Sequence, residues 1–152
     1  MYDHESGNFV SHNKYYGRQL NQETFSETIE DFFKYHDHSL LGDDEKINKY
    51  PLRTDIMSKV ISTLDELISV LTKLETYRFY TASLLVTYDG QLPVNQPINY
   101  EVRLIDFAHS THRSFRDEIV HEGPDLGFIQ GLKSLVWILQ QLIQKNNANK
   151  AL

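Results

Sequence analysis

The residues best suited to chemistry lie in the stretch EVRLIDFAHSTH, residues 101–112. A strand-like run there ends at Asp106, and His109 and His112 follow shortly after it. A carboxylate beside basic side chains is an arrangement that can hold a metal ion next to an anionic ligand. It is equally compatible with an ordinary strand end, and the spacing alone leaves both interpretations open.

Two predicted strands, in YRFYTASLLVTYDG and YEVRLIDF, must position this aspartate. If they form a symmetric hairpin centred near residues 94 and 95, Tyr88 faces Glu101 and Ser83 faces Asp106. Facing side chains lie about 4.5–5.5 Å apart at Cβ, so a hydroxyl and a carboxylate would share one face of the ribbon. Such oxygen ligands suit Mg²⁺. A Ser–Asp pair across two strands is also commonly a simple hydrogen bond.

Two groups of basic side chains are candidates for binding phosphate. One group lies just beyond Asp106 and comprises His109, His112, Arg113 and Arg116. The other consists of Lys14 and Arg18, in NKYYGR. Arginine and lysine side chains are the usual partners of phosphate oxygens in proteins. The simpler alternative is that both groups lie on solvated surface.

Composition narrows the class of protein. A chain of 152 residues is the size of one domain. It has no cysteine, which excludes disulfides, thiol catalysis and zinc–thiolate sites. A net charge of −6 argues against a general nucleic-acid binder. Neither a secretory signal nor an apolar run of about 20 residues is evident, so we expect a cytoplasmic and/or nuclear protein without a membrane span.

Hydrophobic periodicity predicts three helices. Residues 24–33 form one, with Thr24 and Glu27 at the spacing of a capping box. The clearest helix extends from Leu52 to Leu74, because apolar residues recur every three or four positions. The last helix has an apolar face from Phe128 to Ile143, and we expect the polar tail QKNNANK beyond it to be frayed.

The remaining predicted elements are short. Residues 1–12 are expected to form a small hairpin around the turn DHESG. The stretch EGPDLGF is interpreted as a turn and helix cap ahead of the last helix. Helices around a small antiparallel sheet indicate the α+β class rather than a doubly wound parallel sheet.

Four stretches in order along the chain carry a resemblance to a known family. They are NKYYGR, YRFYTASLLVTYDG, VRLIDFAHST and FRDEIVHEGPDLGFIQGLKSL. Together they resemble the inositol polyphosphate kinase family, and most closely its inositol hexakisphosphate kinase branch. The resemblance implies an ATP-grasp-like kinase fold related to protein kinases, with an ATP-binding N-lobe and a larger C-lobe. It also implies transfer of the ATP γ-phosphoryl group to inositol hexakisphosphate or a related inositol polyphosphate.

The same resemblance implies roles for individual residues. Asp106 is similar to the family's magnesium-binding catalytic aspartate, and Ser83 to the serine that lies beside it at the nucleotide and metal. His109 resembles a contact to the substrate phosphates, and Lys14 and Arg18 resemble parts of the inositol phosphate site. The implied partners are ATP, Mg²⁺ and an inositol polyphosphate.

Other parts of the family pattern are missing. The motif PxxxDxKxG, which the resemblance associates with a catalytic acid and a substrate-binding lysine, is absent, as are the N-lobe lysine and adenine-binding hinge. We therefore expect residues 1–152 to be the C-terminal part of a kinase domain, truncated and nearly inactive alone. Alternatives are a non-catalytic inositol-phosphate-binding or interaction module, a fragment without function, and a multikinase-type substrate range.

Overall fold

A computed structural model describes residues 2–3, 8–9, 11–34, 52–90, 97–115 and 119–150. In chain order its elements are β1 (Tyr2–Asp3), β2 (Asn8–Phe9), α1 (Lys14–Gln19), α2 (Gln22–Phe32), α3 (Thr54–Leu71), β3 (Arg78–Tyr80), β4 (Ser83–Tyr88), β5 (Tyr100–Ile105), β6 (His109–Thr111) and α4 (Leu126–Lys150). Within these ranges the strands form antiparallel pairs, β1 with β2, β3 with β6 and β4 with β5. The predicted α+β class is confirmed.

The core lies between α3 and α4. Side chains on one face of α3 are almost fully buried, among them Ile56, Val60 and Leu64. They pack with the apolar face of α4, where Leu139 has no exposed surface. Each side chain of this size contributes about 1.5–3 kcal/mol when it leaves water, so this contact dominates stability. The predicted long helix is confirmed, with bounds slightly inside the expected ones.

Helix α4 extends further than predicted. It continues through the polar residues QKNNANK to Lys150, so the expectation of a frayed tail was wrong. No glycine or proline interrupts this end, and the Lys145 ammonium lies 3.2 Å from the Glu30 carboxylate of α2. Among the described helices, α4 is the one whose length and hydropathy would permit a membrane span. Its buried face already packs in the core, so this is weak evidence for a span.

The paired strands β4 and β5 cover one side of the helices. Their side chains alternate, with Leu84, Val86, Val102 and Leu104 half-buried against the core and the intervening residues exposed. The Thr63 hydroxyl of α3 hydrogen-bonds the Tyr100 hydroxyl of β5 at 3.1 Å. This alternation is typical of an antiparallel ribbon with one face on a core.

The amino-terminal hairpin is confirmed by the pairing of β1 with β2. Helix α2 begins earlier than predicted, because Asn21 is its cap. The Asn21 carboxamide accepts from the Thr24 backbone N–H, and the Thr24 hydroxyl accepts from the Asn21 N–H, both at 2.9 Å. The predicted Thr24–Glu27 box is therefore wrong: Thr24 occupies the third helical position rather than the cap. Helix α1 is joined to α2 by a 3.1 Å hydrogen bond between Tyr16 and Thr28.

An ion pair that includes a buried arginine lies at the start of α3. Arg53 is 1% exposed and donates two hydrogen bonds to the Asp55 carboxylate, at 3.0 and 2.9 Å. Burial raises the pKa of Asp55, but the Arg53 hydrogen bonds and charge outweigh it and hold that pKa below its usual range. Nearby, the Tyr88 hydroxyl donates to the Phe32 carbonyl, and burial raises the pKa of Tyr88 to about 12.

Candidate functional site

The strand pairs β3–β6 and β4–β5 are two parts of one bent ribbon. Tyr80 pairs with His109 at the end of one part, and Ser83 pairs with Ile105 at the start of the other. Between these pairs the first strand has two residues and the second strand has three. An unequal count of this kind is a β-bulge, which bends a ribbon and re-aims side chains. The extra residue lies in the segment 106–108, which includes the candidate aspartate.

The backbone turns sharply on both strands at this bulge. Thr81 and Asp106 adopt left-handed conformations, with φ of 59° and 71°. Asp tolerates this region better than most residues, because its short polar side chain can be accommodated there. The Ser110 N–H donates to the Phe107 carbonyl at 2.9 Å and closes the turn into β6. The Asp106 side chain consequently leaves the regular ribbon at an exposed corner.

The predicted register of β4 and β5 was wrong by one residue. Ser83 faces Ile105 rather than Asp106, and Tyr88 faces Tyr100 rather than Glu101. The offset is already present at the loop end, where the Asp89 N–H donates to the Asn99 carbonyl, so the hairpin is not centred where a symmetric loop would place it. The extra residue of the bulge restores the predicted pairing further out, where Tyr80 faces His109. Ser83 thus shares its exposed face with Ile105, and Ser83 and Asp106 are not facing residues that could hold one ion between them. A metal role for Ser83 stays a prediction from the resemblance.

Asp106 itself suits a hard cation. Its carboxylate is exposed and makes no hydrogen bond or ion pair with the described residues. Within the described ranges no three acidic, histidine or cysteine residues cluster as a metal site. Mg²⁺ requires no such cluster, because it is commonly held by one or two carboxylates, with water and phosphate oxygens completing its shell. The corner therefore fits a metal ion that arrives with a phosphorylated ligand.

His109 lies beside the bulge, where it begins β6 and is exposed. It pairs with Tyr80, whose hydroxyl lies 3.0 Å from Nε2 of His121. Side chains of directly paired strand residues share a face. Asp106 and His109 are thus both exposed at this corner, three residues apart in the chain.

The other predicted basic residues of this region differ in environment. The His112 ring packs on Tyr77 with centroids 4.1 Å apart, and its Nδ1 accepts from the Ser114 N–H at 3.2 Å. Arg113 is exposed, and its backbone N–H donates to the Thr76 hydroxyl at 3.4 Å. Arg116 lies outside the described residues. Packing therefore accounts for His112, and Arg113 is an exposed cation among the described residues that follow β6.

Lys14 and Arg18 lie one turn apart on α1, so their side chains are neighbours on the helix surface. Both are exposed, and the Lys14 ammonium lies 5.3 Å from the centroid of the Tyr15 ring. In the part of the chain that the structure describes, no hydrogen bond or ion pair links α1 with the Asp106 corner. Lys14 and Arg18 therefore form a second basic group, with no described hydrogen bond or ion pair to the residues around Asp106.

The segment before α4 is hydrogen-bonded to β3, the strand that ends at the bulge. The Asp125 carboxylate accepts from the Phe128 N–H at 3.0 Å, which caps α4, and from the Phe79 N–H at 2.9 Å, which holds β3. The Arg78 guanidinium donates to the carbonyls of Glu122 and Gly123, at 2.9 and 3.0 Å. The predicted cap before α4 is confirmed. The role of Arg78 was not predicted from the sequence. Its position between the aromatic residues of a predicted strand was the signal that could have indicated it.

Solved structures show what fold these elements belong to. The inositol phosphate multikinase Ipk2 of S. cerevisiae, in complex with ADP and Mn²⁺, matches with a TM-score of 0.61 at 23% identity, over 86% of this chain and 50% of that chain. A second inositol phosphate multikinase structure matches with a TM-score of 0.66 at 20% identity, over 93% of this chain and 58% of that one. The fold is that of inositol phosphate kinases.

The family follows from sequence comparison. A model of the family described as inositol polyphosphate kinase matches residues 1–140. This chain belongs to that family. It is 32% identical to mouse inositol hexakisphosphate kinase 1, over 96% of this chain and 39% of the relative, and 33% identical to human inositol hexakisphosphate kinase 2, over 96% and 38%. The predicted resemblance is confirmed.

Coverage of these relatives is partial. The chain spans about two fifths of the length of the curated relatives it matches. The alignment with the mouse protein extends over 181 residues, although this chain has 152. The relative therefore carries residues within the matched region that have no counterpart here.

Proposed function

We propose that this chain is the C-terminal part of an inositol phosphate kinase domain that transfers the ATP γ-phosphoryl group to inositol hexakisphosphate or a related inositol polyphosphate. The family match over residues 1–140 and the names of its relatives support this reaction. The observation that carries the mechanism is the exposed Asp106 carboxylate, unpaired among the described residues and held at the bulge by a left-handed backbone.

Phosphoryl transfer depends mainly on positioning and on neutralising charge. Asp106 would hold Mg²⁺, which when bound screens the charge of the nucleotide phosphates. The solved yeast relative contains ADP and Mn²⁺, which supports a nucleotide and a divalent ion here. His109, next to this corner, would donate a hydrogen bond to a substrate phosphate. Lys14 and Arg18 would bind further phosphates of the inositol ring through charge-assisted hydrogen bonds.

The 152-residue chain by itself is expected to have little or no kinase activity. The motif PxxxDxKxG does not occur in it, and groups that act as a unit in catalysis are not lost gradually. Incubation of the purified chain with ATP, Mg²⁺ and inositol hexakisphosphate should yield almost no pyrophosphate product. Robust product formation would refute this expectation.

A second candidate function is inositol phosphate binding without catalysis. The exposed pair Lys14 and Arg18 favours it, because these cations are neighbours on one helix surface. Calorimetry with inositol hexakisphosphate and no nucleotide should show binding that Lys14→Ala weakens. Lys73→Ala, which removes an exposed lysine beyond the end of α3, is the matched control and should leave binding unchanged.

A further inference from the structure

A groove of about 500 Å³ separates α2 from α4, and none of its lining residues belongs to the β-ribbon. Its floor is apolar, since Ile138 and Leu142 are both buried. Trp137 lies at its side with 52% of its surface exposed. Ligand sites in proteins commonly have volumes of about 300–1,000 Å³ and apolar linings with a few polar groups. The groove has such a volume and an apolar floor, although most of its lining residues are polar or charged, and it lies at a place that the proposed kinase chemistry does not use.

The charge of this groove is strongly asymmetric. Helix α2 contributes Glu23, Glu27 and Glu30, at helical spacings that place them along one side. Helix α4 contributes Lys145, which lies 3.2 Å from the Glu30 carboxylate. Glu23 and Glu27 form no ion pair with the residues that the structure describes. Two carboxylates without an ion pair among the described residues thus line the same groove as an exposed indole ring.

We propose that this groove, bounded by Glu23, Glu27 and Trp137, binds a lysine- or arginine-containing segment of a partner protein. The aliphatic part of the cationic side chain packs against the apolar floor, and its charged end lies between the indole face and the carboxylates. Tryptophan is the strongest aromatic partner of such cations, and long basic side chains readily combine apolar and charged contacts.

Charge complementarity selects this occupant over others. ATP and inositol phosphates are anions, which the Glu23 and Glu27 carboxylates repel. A second copy of the chain carries a net charge of −6, so bringing two acidic molecules together is unfavourable. A basic segment gains attraction from both the carboxylates and the indole ring. The proposal is independent of the proposed kinase function, because it involves none of the residues near Asp106.

Trp137 provides a direct measurement, because it is the only tryptophan in the chain. The full chain is titrated with a peptide of alternating lysine and glycine while tryptophan emission is recorded. A saturable change in emission is expected, and it should weaken as added salt screens the charges. The same peptide with glutamate in place of lysine should produce no saturable change. An equal response to both peptides would overturn the proposal.

Variants separate groove binding from general charge attraction. Glu23→Gln combined with Glu27→Gln should lower the affinity for the lysine peptide about fivefold, because exposed ion pairs contribute modestly to affinity. Asp65→Asn with Glu66→Gln removes the same number of exposed carboxylates from α3 and should leave affinity unchanged. Matching far-UV circular dichroism spectra establish that each variant is folded.

Two outcomes would contradict the proposal directly. One is an equal loss of affinity in the α2 and α3 double variants, which would show that only overall charge matters. The other is tryptophan emission that depends on protein concentration without peptide, which would show that a second copy occupies the groove. The Trp137→Ala variant should also bind the lysine peptide more weakly than the unchanged protein does. Because this variant lacks the indole, its binding is measured by the anisotropy of a fluorescein-labelled peptide.

Discussion

Thr81 and Asp106 share a left-handed backbone conformation on opposite strands of one bent ribbon, in the segments between the pairs Tyr80–His109 and Ser83–Ile105. For most L-residues this conformation costs about 1–2 kcal/mol. Strain of this kind persists where the surrounding structure fixes it, and it is common at functional sites. Here the bend turns a carboxylate out of strand pairing and leaves it beside His109, so the candidate site depends on the backbone as much as on the side chain.

Replacing Thr81 by glycine should therefore stabilise the protein. A β-branched residue is unfavourable at φ of 59°, and glycine relieves that strain for a gain of about 0.5–1 kcal/mol after its greater entropy in the unfolded chain is subtracted. The measurement is the free energy of unfolding in urea. Thr87→Gly, at an exposed position inside β4, is the matched control and should destabilise by a similar amount. An equal loss in the free energy of unfolding for both variants would show that the backbone at Thr81 is not strained.

Asp125→Ala should be strongly destabilising. The Asp125 carboxylate accepts one hydrogen bond that caps α4 and another that holds β3, so the substitution leaves two backbone N–H groups without their partner. A loss of about 2–3 kcal/mol is expected from a missing cap and an unsatisfied donor together. Thermal unfolding gives the change in Tm. Asp65→Ala on the exposed surface of α3 should change Tm little, and similar shifts for both variants would contradict the structural role.

The Arg53–Asp55 pair should make stability depend on acid pH. The folded pKa of Asp55 lies below its unfolded value near 3.9, so the pair contributes stability above that pH and loses it as pH falls through the folded pKa. Asp55→Asn should cost about 2–3 kcal/mol at neutral pH, because the buried Arg53 guanidinium then loses two charge-assisted hydrogen bonds to this carboxylate. Urea unfolding of both proteins between pH 2 and 7 measures this. A cost that persists unchanged at the acid end would contradict the ion-pair explanation.

Tyr88 should make the free energy of unfolding fall as the pH rises into the alkaline range, which is the opposite of the effect of Asp55. The folded Tyr88 pKa of about 12 exceeds the unfolded value near 10, so its contribution is complete below about pH 10 and is lost as pH rises toward 12. Tyr88→Phe removes this titration and should make the free energy of unfolding less sensitive to pH between 9 and 11. Tyr15→Phe, at an exposed position on α1, should keep the sensitivity of the unchanged protein. If both variants behave alike, Tyr88 is not the responsible group.

The elements that the sequence predicts well are those with a long apolar period. The core faces of α3 and α4 follow from repeated spacing, because each such helix must bury one side. Strand β6 escaped prediction, since HST is short and polar and gains its hydrogen bonds only by pairing with the distant β3. The start of α2 was misplaced because Asn21 and Thr24 are both good caps and only three-dimensional geometry distinguishes them.

The sequence motif nominates residues for the candidate site but does not give their geometry. Asp106 and His109 are recognisable from the residues around them, and the structure places both near one corner. The bulge leaves no periodic signal, since one extra residue in a strand changes the partner without changing the apparent pattern. Ser83 was paired with the wrong residue because the hairpin is not centred where a symmetric loop would place it. Short-range motifs identify the residues here, whereas long-range pairing decides which of them face one another.

The role of Asp106 in phosphoryl transfer can be tested in a complete kinase. Residues 1–140 replace the matching segment of mouse inositol hexakisphosphate kinase 1, and conversion of inositol hexakisphosphate is measured with ATP and Mg²⁺. The chimaera should be active, and Asp106→Gly, which tolerates the left-handed backbone but lacks the carboxylate, should lose at least about a hundredfold in rate. Asp106→Asn should behave in the same way, while Asp65→Asn on α3 should retain activity. Full activity of both folded Asp106 variants would contradict the assignment of this carboxylate to phosphoryl transfer.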